Sequence, residues 1–435
     1  KLSDKGKQCY EEVKVKLKKL NTRGTWENKF GLFWKIACMI KSKQHDLQYL
    51  YEDSSREFVD RYKNQLIAMR EEFVNNIDYY VEKCIRVMRE VNNMTVHYAG
   101  TNKEAQDIFM KEIGDTKVIY KSKSNEAKDI GIIDILKKNN ITIKETDLGD
   151  VLVQLFNYKL PKFGVGPGAH FSKEEIVGKI KEVYGVELEP TARAIVKYYR
   201  ESFRKELLND VKVSLTSANA ISAEDGTIVL GENEGNISLL TRATEKHIVL
   251  CGITKIVPTI VDAILVAKVQ TRINNVSFNY INLISGPSAT ADVQGEKVLG
   301  MYGAKEVVVI LVDDWRSKAL KEDLLYKEFL KCIGCRTCNY VCTASRAFGN
   351  IYASKYGLGA DGIIRDYIHN GIESAVNDGL FLCTGCENCY HWCPVSVNLG
   401  EIMKSIKREA TKAGLCPPAL KEYQEKIINE KNPFK

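Results

Sequence analysis

No apolar run in this 435-residue chain approaches the length needed to cross a bilayer. The most apolar stretches, such as VVVILV at 307–312, stop at the length of a core strand. The opening segment, KLSDKGK, lacks the apolar stretch of a signal peptide, which argues against export. No G-x-G-x-x-G follows a strand-like run, so neither a flavin nor an NAD site is expected within this chain. No recognised nucleic-acid-binding module accompanies the positive charge, which argues against DNA or RNA as a partner. A disulfide framework is also missing: the 13 cysteines are an odd number, and eight of them cluster at cofactor spacing. That is the usage of a reducing cytoplasm.

What remains is a globular composition, 44% hydrophobic and 27% charged, with room for two or three domains. The net charge of +7 is unevenly placed. Residues 1–46 hold 12 Lys and Arg against five Asp and Glu, whereas the rest of the chain balances. Residues 1–56 therefore read as a basic, helical N-terminal arm. A solvated helix face is its simplest use. The same charge also suits an acidic partner, or peripheral contact with the inner face of a membrane.

The periodicity then changes in order. From Phe58 through Tyr62, Leu66, Met69, Phe73, Ile77, Val81, Cys84, Met88 and Val91 the apolar steps are three or four, the spacing of one or two amphipathic helices. MTVHYAG, KVIY and ITIKETD read as strands separated by helices at 102–112 and 126–138, a β-α-β-α-β run that implies a parallel sheet. Helices are expected near 173–183 and 191–209. Short strands follow at VKVSL, GTIVL, HIVLCGI, YINLIS and EVVVILVDD. With its leading helices this α/β domain spans 57–315.

Two copies of C-x2-C-x2-C-x3-C follow, CIGCRTCNYVC from Cys332 and CTGCENCYHWC from Cys383. Three thiolates at two-residue spacing can wrap one iron–sulfur cluster, while the offset fourth reaches a neighbouring one. The spacing thus assigns Cys332, Cys335, Cys338 and Cys393 to one [4Fe–4S] centre, and Cys383, Cys386, Cys389 and Cys342 to a second. Structural zinc prefers separated C-x2-C pairs and fits this pattern poorly. Pro394 follows the second motif, whereas Thr343 follows the first. The intervening residues 343–382 include DGIIRDYIHNGIESAV at helical spacing, so residues 316–416 are expected to form an α-helical ferredoxin domain with two clusters, and 417–435 a tail. The remaining cysteines, Cys9, Cys38, Cys84, Cys251 and Cys416, show no reactive setting; Cys38, Cys84 and Cys251 read as small buried hydrophobes.

KSKS at 121–124, ETDLGD at 145–150, GPGAH ending at His170, ENEGN at 232–236, HIVLCGITKIVP at 247–258 and ISGP at 284–287 occur in the order of the LUD domain. Followed by the two cysteine motifs, the chain resembles the iron–sulfur proteins of lactate-utilization systems, the LutB type, over roughly residues 70–405. The stretch IMKSIKREATKAGLCPP at 402–418 resembles the end of heterodisulfide-reductase-like electron-transfer subunits. The sequence departs from the family at Thr254, where Glu is usual, at DDWR 313–316 and within CIGCRTC. The resemblance implies a fold similar to the NagB/RpiA/CoA-transferase superfamily. It also implies membership of a complex that oxidises L-lactate or a related 2-hydroxy acid, with flavin-containing or cysteine-rich redox subunits as partners. Fold similarity alone transfers no activity.

KSKS follows a strand, at the end where open α/β sheets bind ligands. Lys121, Ser122, Lys123 and Ser124 are therefore candidates to hold a carboxylate or phosphate, and His170, Glu232, Asn233, Glu234 and Asn236 to line the same crevice. The reading is an electron-transfer subunit of a cytoplasmic oxidoreductase. Two alternatives stand beside it: a CoA- or sugar-phosphate-type enzyme with accessory clusters, and a scaffold docked through the basic arm.

Overall fold

The computed structural model describes residues 55–124, 126–158, 168, 171–274 and 277–431, with isolated positions among the first fifteen. The rest of the basic arm, with Cys9 and Cys38, lies outside the described residues, as does His170.

Six strands form the central sheet: β1 (Thr95–Ala99), β2 (Val118–Lys121), β3 (Thr142–Glu145), β4 (Val213–Thr216), β7 (Lys246–Gly252) and β12 (Glu306–Val312). Their order is β1-β12-β7-β4-β2-β3, and every pairing is parallel. Beside it lies a four-stranded sheet in the order β8-β5-β6-β9, built from β5 (Ala220–Ser222), β6 (Ile228–Glu232), β8 (Ile256–Val257) and β9 (Tyr280–Ile284). A hairpin of β10 (Ala289–Thr290) and β11 (Val298–Leu299) stands apart.

The apolar runs explain the order. In β12 successive side chains alternate between two cores: Val307, Val309 and Leu311 enter one, Val308, Ile310 and Val312 the other. In β7 Val249 and Cys251 face the first, Ile248 and Leu250 the second. A strand apolar on both faces belongs in the interior of a parallel sheet. The half-exposed β1 and β3 take the edges. Local sequence places β1 next to β2, but β12, β7 and β4 come between them.

The predicted helices at 102–112, 173–183 and 191–209 are present as Asn102–Ile113, Lys173–Tyr184 and Ala192–Asp210. Ser172 opens the second through a reciprocal capping box with Glu175. The expected helix at 126–138 is instead two pieces, Glu126–Asp129 and Ile132–Lys138, parted at Gly131 with φ 79°. The heptad-like apolar run near the N-terminus is two helices, Ser55–Asn75 and Ile77–Glu90, and it ends before Val91, which is exposed.

Beyond β12 the chain is helical. Gly359–Asn370 and Ile372–Asn377 occupy the stretch between the cysteine motifs, and Leu399–Lys412 follows them. This last helix buries Leu399, Ile402, Met403, Ile406 and Ala410 at three- and four-residue steps. Its apolar face joins the larger core shared with the α/β domain. Among the described residues no helix is long and apolar enough to cross a membrane.

Candidate iron–sulfur sites and the sheet crevice

Each cysteine motif folds the same way. A 3-10 turn, Lys327–Lys331 or Leu380–Leu382, delivers the first cysteine in extended backbone, with φ −63° and ψ 127° at Cys332 and φ −63° and ψ 123° at Cys383. Gly334 and Gly385 then take φ 75° and 70°, and Arg336 and Glu387 both take φ 60°. A short helix follows each, Thr337–Val341 and Asn388–His391. Left-handed residues alternating with right-handed ones turn successive N–H groups toward one concavity, a form that suits anions and iron–sulfur sulfurs. The N–H of Gly334 donates to Cys332 Sγ at 3.3 Å, and that of Val397 donates to Cys393 Sγ at 3.3 Å.

The thiols fall into two sets of electrostatic neighbours. Cys335 feels Cys393 and Cys332, and Cys393 feels Cys332; Cys338 feels Cys335 and Cys332. Cys389 feels Cys342, Cys383 and Cys386. The sets adjoin, because Cys338 also feels Cys389. None of the eight is in a disulfide.

Burial pushes the thiols of Cys332, Cys335, Cys338 and Cys342 up, those of Cys389 and Cys393 to about 12 and about 11. Enclosed thiols of this kind ionise only when something positive joins them, as cluster iron does. Cys386 differs: it is exposed, and although partial burial works against ionisation, hydrogen bonds from Thr343, Asn388 and Thr384 hold its thiol below the ordinary value. Thr343 thus has a use where the motif usually carries Pro. Its hydroxyl lies 3.4 Å from Cys386 Sγ and 3.2 Å from Thr384 Oγ1.

The residues present fit iron–sulfur clusters. Two buried hydroxyls beside the second set, Ser345 Oγ and Tyr352 Oη, have no oxygen or nitrogen partner. Ser345 adjoins Cys342, and Tyr352 adjoins Cys342, Cys383 and Cys389. Each is aimed at a proposed ligand, Ser345 at Cys342 and Tyr352 at Cys383, the setting of hydroxyls that hydrogen-bond cluster thiolates.

The two loops are held by different parts of the molecule. Three side chains of the α/β domain grip the carbonyls of the first: Arg70 holds Leu330 and Lys331, Gln270 holds Ile333 at 2.6 Å, and Asn274 holds Cys335 at 2.8 Å. In the second, Lys407 of the ferredoxin module's own helix donates to the Cys383 carbonyl at 2.6 Å. An ionic network joins the first site to the carboxyl ends of β7 and β12. Arg365 pairs with Asp361 at 3.1 Å and Asp129 at 2.9 Å, while Arg316 meets Glu126 at 3.3 Å and Thr254 Oγ1 at 3.4 Å. Thr254 and the DDWR run, some 60 residues apart in the sequence, are therefore in contact.

Residues 81–312 match the model of the LUD domain, more than half of the chain. The chain belongs to the LUD-domain family. Residues 328–397 match the 4Fe–4S dicluster domain, so the cysteine region is an iron–sulfur module. It is 25% identical over 369 residues to the uncharacterized electron transport protein YkgF of Escherichia coli, covering 83% of this chain and 74% of that one. Lactate utilization protein B of Shouchella clausii is 28% identical over 351 residues, 78% of this chain and 70% of that protein. That of Bacillus subtilis is 26% identical over 361 residues, 80% and 71%. A crystal structure of a DUF162 family protein from Deinococcus radiodurans aligns at 13% identity with a TM-score of 0.29, over 56% of this chain and 98% of that one, too loosely to bear on the argument.

The LUD-domain candidates divide. Lys121 is buried and paired with Glu145 at 2.7 Å; Ser122 is buried; Ser124 accepts from the N–H of Ala127 at 3.0 Å. Glu232, also buried, accepts from the N–H groups of Ile237 and Ser238 at 2.6 and 3.0 Å and from Asn282 at 2.9 Å, which anchors the helix Asn236–Arg242. These groups are engaged by the fold. Lys123 is exposed, and Glu234 stands near it and near Asp147. Burial, then the Asp147 charge, raises the Glu234 carboxyl. Asn236 donates to Thr146 at 3.2 Å, and Asn233 accepts from the N–H of Asn279 at 3.2 Å. Asn233, Glu234 and Asn236 line an open groove of about 1090 Å³ that runs on past Arg200, Arg204 and Arg242. Sequence reading missed these arginines, since nothing local sets them apart from a solvated helix face. It also missed Arg70, Gln270 and Asn274, whose role depends on a contact made far along the chain.

Proposed function

We propose that this chain is the electron-relay subunit of a complex that oxidises L-lactate or a related 2-hydroxy acid. Cys332, Cys335, Cys338 and Cys393 would hold one [4Fe–4S] cluster, and Cys383, Cys386, Cys389 and Cys342 the other. The observation that supports this reading is the grouping of the thiols: Cys393 lies near Cys332 and Cys335, and Cys342 near Cys383 and Cys389. Each cluster supplies one-electron storage when bound. The chain's own residues do the rest: the four thiols of the first set are only partly exposed, the N–H groups of Gly334 and Val397 point at Cys332 and Cys393, and the exposed Cys386 brings the second set to the surface. The names of the relatives, an electron transport protein and lactate utilization proteins, support the substrate class and a redox complex as the setting. Breaking the C–H bond of a hydroxy acid needs a hydride or carbanion acceptor such as a flavin, which the proposal places on a partner subunit.

The test is composition followed by substitution. Anaerobically purified protein should carry roughly eight iron and eight sulfide. Cys393→Ala should damage the same centre as Cys335→Ala, distinguished by its electron paramagnetic resonance signal. Damage to the centre lost in Cys386→Ala instead would overturn the crossed ligand sets.

A further inference from the structure

Arg70, on the helix Ser55–Asn75, is the largest fully buried side chain among the described residues, 1% exposed. Its guanidinium donates to the carbonyls of Leu330 at 2.6 Å, Lys331 at 3.1 Å and Ile256 at 3.2 Å. It also lies over the Phe73 ring, 4.7 Å from the centroid. These partners are all neutral. Among the described residues no carboxylate pairs with it, and the ionisable group whose field favours its charge is Cys332, a proposed ligand of the first cluster. Burial lowers its pKa to about 10, which leaves it protonated at neutral pH. A guanidinium taken out of water without a counter-ion is strongly destabilising. The first iron–sulfur site, beginning at the residue after Lys331, is where the missing negative charge would come from. Four thiolates around a less positive core leave a net negative cluster.

We propose that Arg70 is the built-in counter-charge of the first cluster, a positioning residue that raises this cluster's reduction potential and leaves the second's alone. The inference rests on the cluster assignment above. Reduction adds an electron, so a fixed positive charge in a desolvated setting favours the reduced form. Two further cations share the site. Lys255 Nζ stands 3.6 Å from where a Cβ on Gly334 would lie, and Arg365 faces Cys332 from the other domain. Asp361 opposes them, but it is tied to Arg365. Among the described residues the second site has no counterpart of Arg70: Lys407, which donates to the Cys383 carbonyl, is only half-buried.

The test uses the full chain, loaded anaerobically and titrated potentiometrically with paramagnetic resonance detection. The first cluster is identified as the signal lost in Cys335→Ala. Arg70→Gln should weaken its reduction at least tenfold, a fall of about 59 mV for a one-electron couple. The second midpoint should stay put, and Arg70→Lys should restore most of the first. If the Gln variant fails to load, Lys255→Gln reads the same field from a half-exposed position and should lower the same midpoint by less. Unchanged midpoints in the loaded variants, equal shifts in both clusters, or a Lys variant as low as the Gln variant would overturn the proposal. Iron content near eight in the wild type keeps this outcome separate from failure of the cluster reading itself.

Discussion

The two cysteine sites share a backbone and differ in everything around it. Both run through a 3-10 turn, a left-handed glycine, a left-handed non-glycine residue and a short helix. The first loop is then gripped by Arg70, Gln270 and Asn274 from the LUD domain, while the second is held by Lys407 of its own module. The thiols of the first site are all partly covered, whereas the second site opens at Cys386. A repeated motif therefore sets what is bound, and the packing decides how each copy behaves. The more covered copy is suited to tuning by fixed charges, and the open copy to exchange with a partner.

The largest effect that would break this comparison comes from the grips. Removing both amides with Gln270→Ala and Asn274→Ala leaves the Ile333 and Cys335 carbonyls without their side-chain partners, at about 1–3 kcal/mol each. Iron should fall toward half, with the first signal lost. Lys407→Ala should do the reverse and spare the first. Equal loss of both signals in either variant would show that the sites are not independently held.

A second, smaller effect concerns exposure. When the reduced protein is mixed with a bulky, water-soluble oxidant, the second cluster should discharge before the first, giving two optical phases at least about tenfold apart, since access through protein rather than chemistry then sets the rates. Cys386→Ala should abolish the fast phase. A single phase in the wild type would put both clusters at the same depth.

The smallest effect sharpens the view of the interface between the domains. His369 stacks on Tyr356 with centroids 4.7 Å apart, and it lies 3.9 Å from Asp314. Burial, then Arg316 and Arg365, lowers its pKa to about 4. The unfolded chain takes up this proton near pH 6.5 and the folded chain only near pH 4. Stability from this group is thus full above about 6.5 and declines as pH falls toward 4. His369→Phe should lose less melting temperature between pH 7 and pH 5 than the wild type does, by a few degrees. Parallel pH profiles for the two proteins would remove His369 from the account.

Much of this was legible in the sequence because the signals are local. Thiol spacing marks the iron–sulfur module, and two-residue alternation inside VVVILV marks a strand buried on both faces. The order of the strands was not legible, because the place of β12 between β1 and β7 depends on contacts made more than two hundred residues apart. Short elements such as β5, β8 and the helix Asn236–Arg242 were missed for a related reason: they are too brief to show a period and form where neighbours supply partners. In the crevice, residue type misled where the fold had already used the group. Lys121 and Glu232 look like ligand residues in sequence, yet one is paired with Glu145 and the other caps a helix. Arg70 shows the opposite failure. Inside an amphipathic helix it reads as one more solvated arginine, and its importance is visible only once its carbonyl partners are known.

The central claim is that this chain carries electrons and leaves the chemistry on the hydroxy acid to a partner. The most direct measurement mixes the isolated, fully loaded, flavin-free chain anaerobically with L-lactate, D-lactate or glycolate and follows the visible cluster absorbance. The account predicts no bleaching with any of the three. Addition of the flavin-bearing subunit should then bleach both clusters, about one electron to each. Bleaching or sustained turnover by the isolated chain would contradict the relay and move the chemistry into the LUD domain.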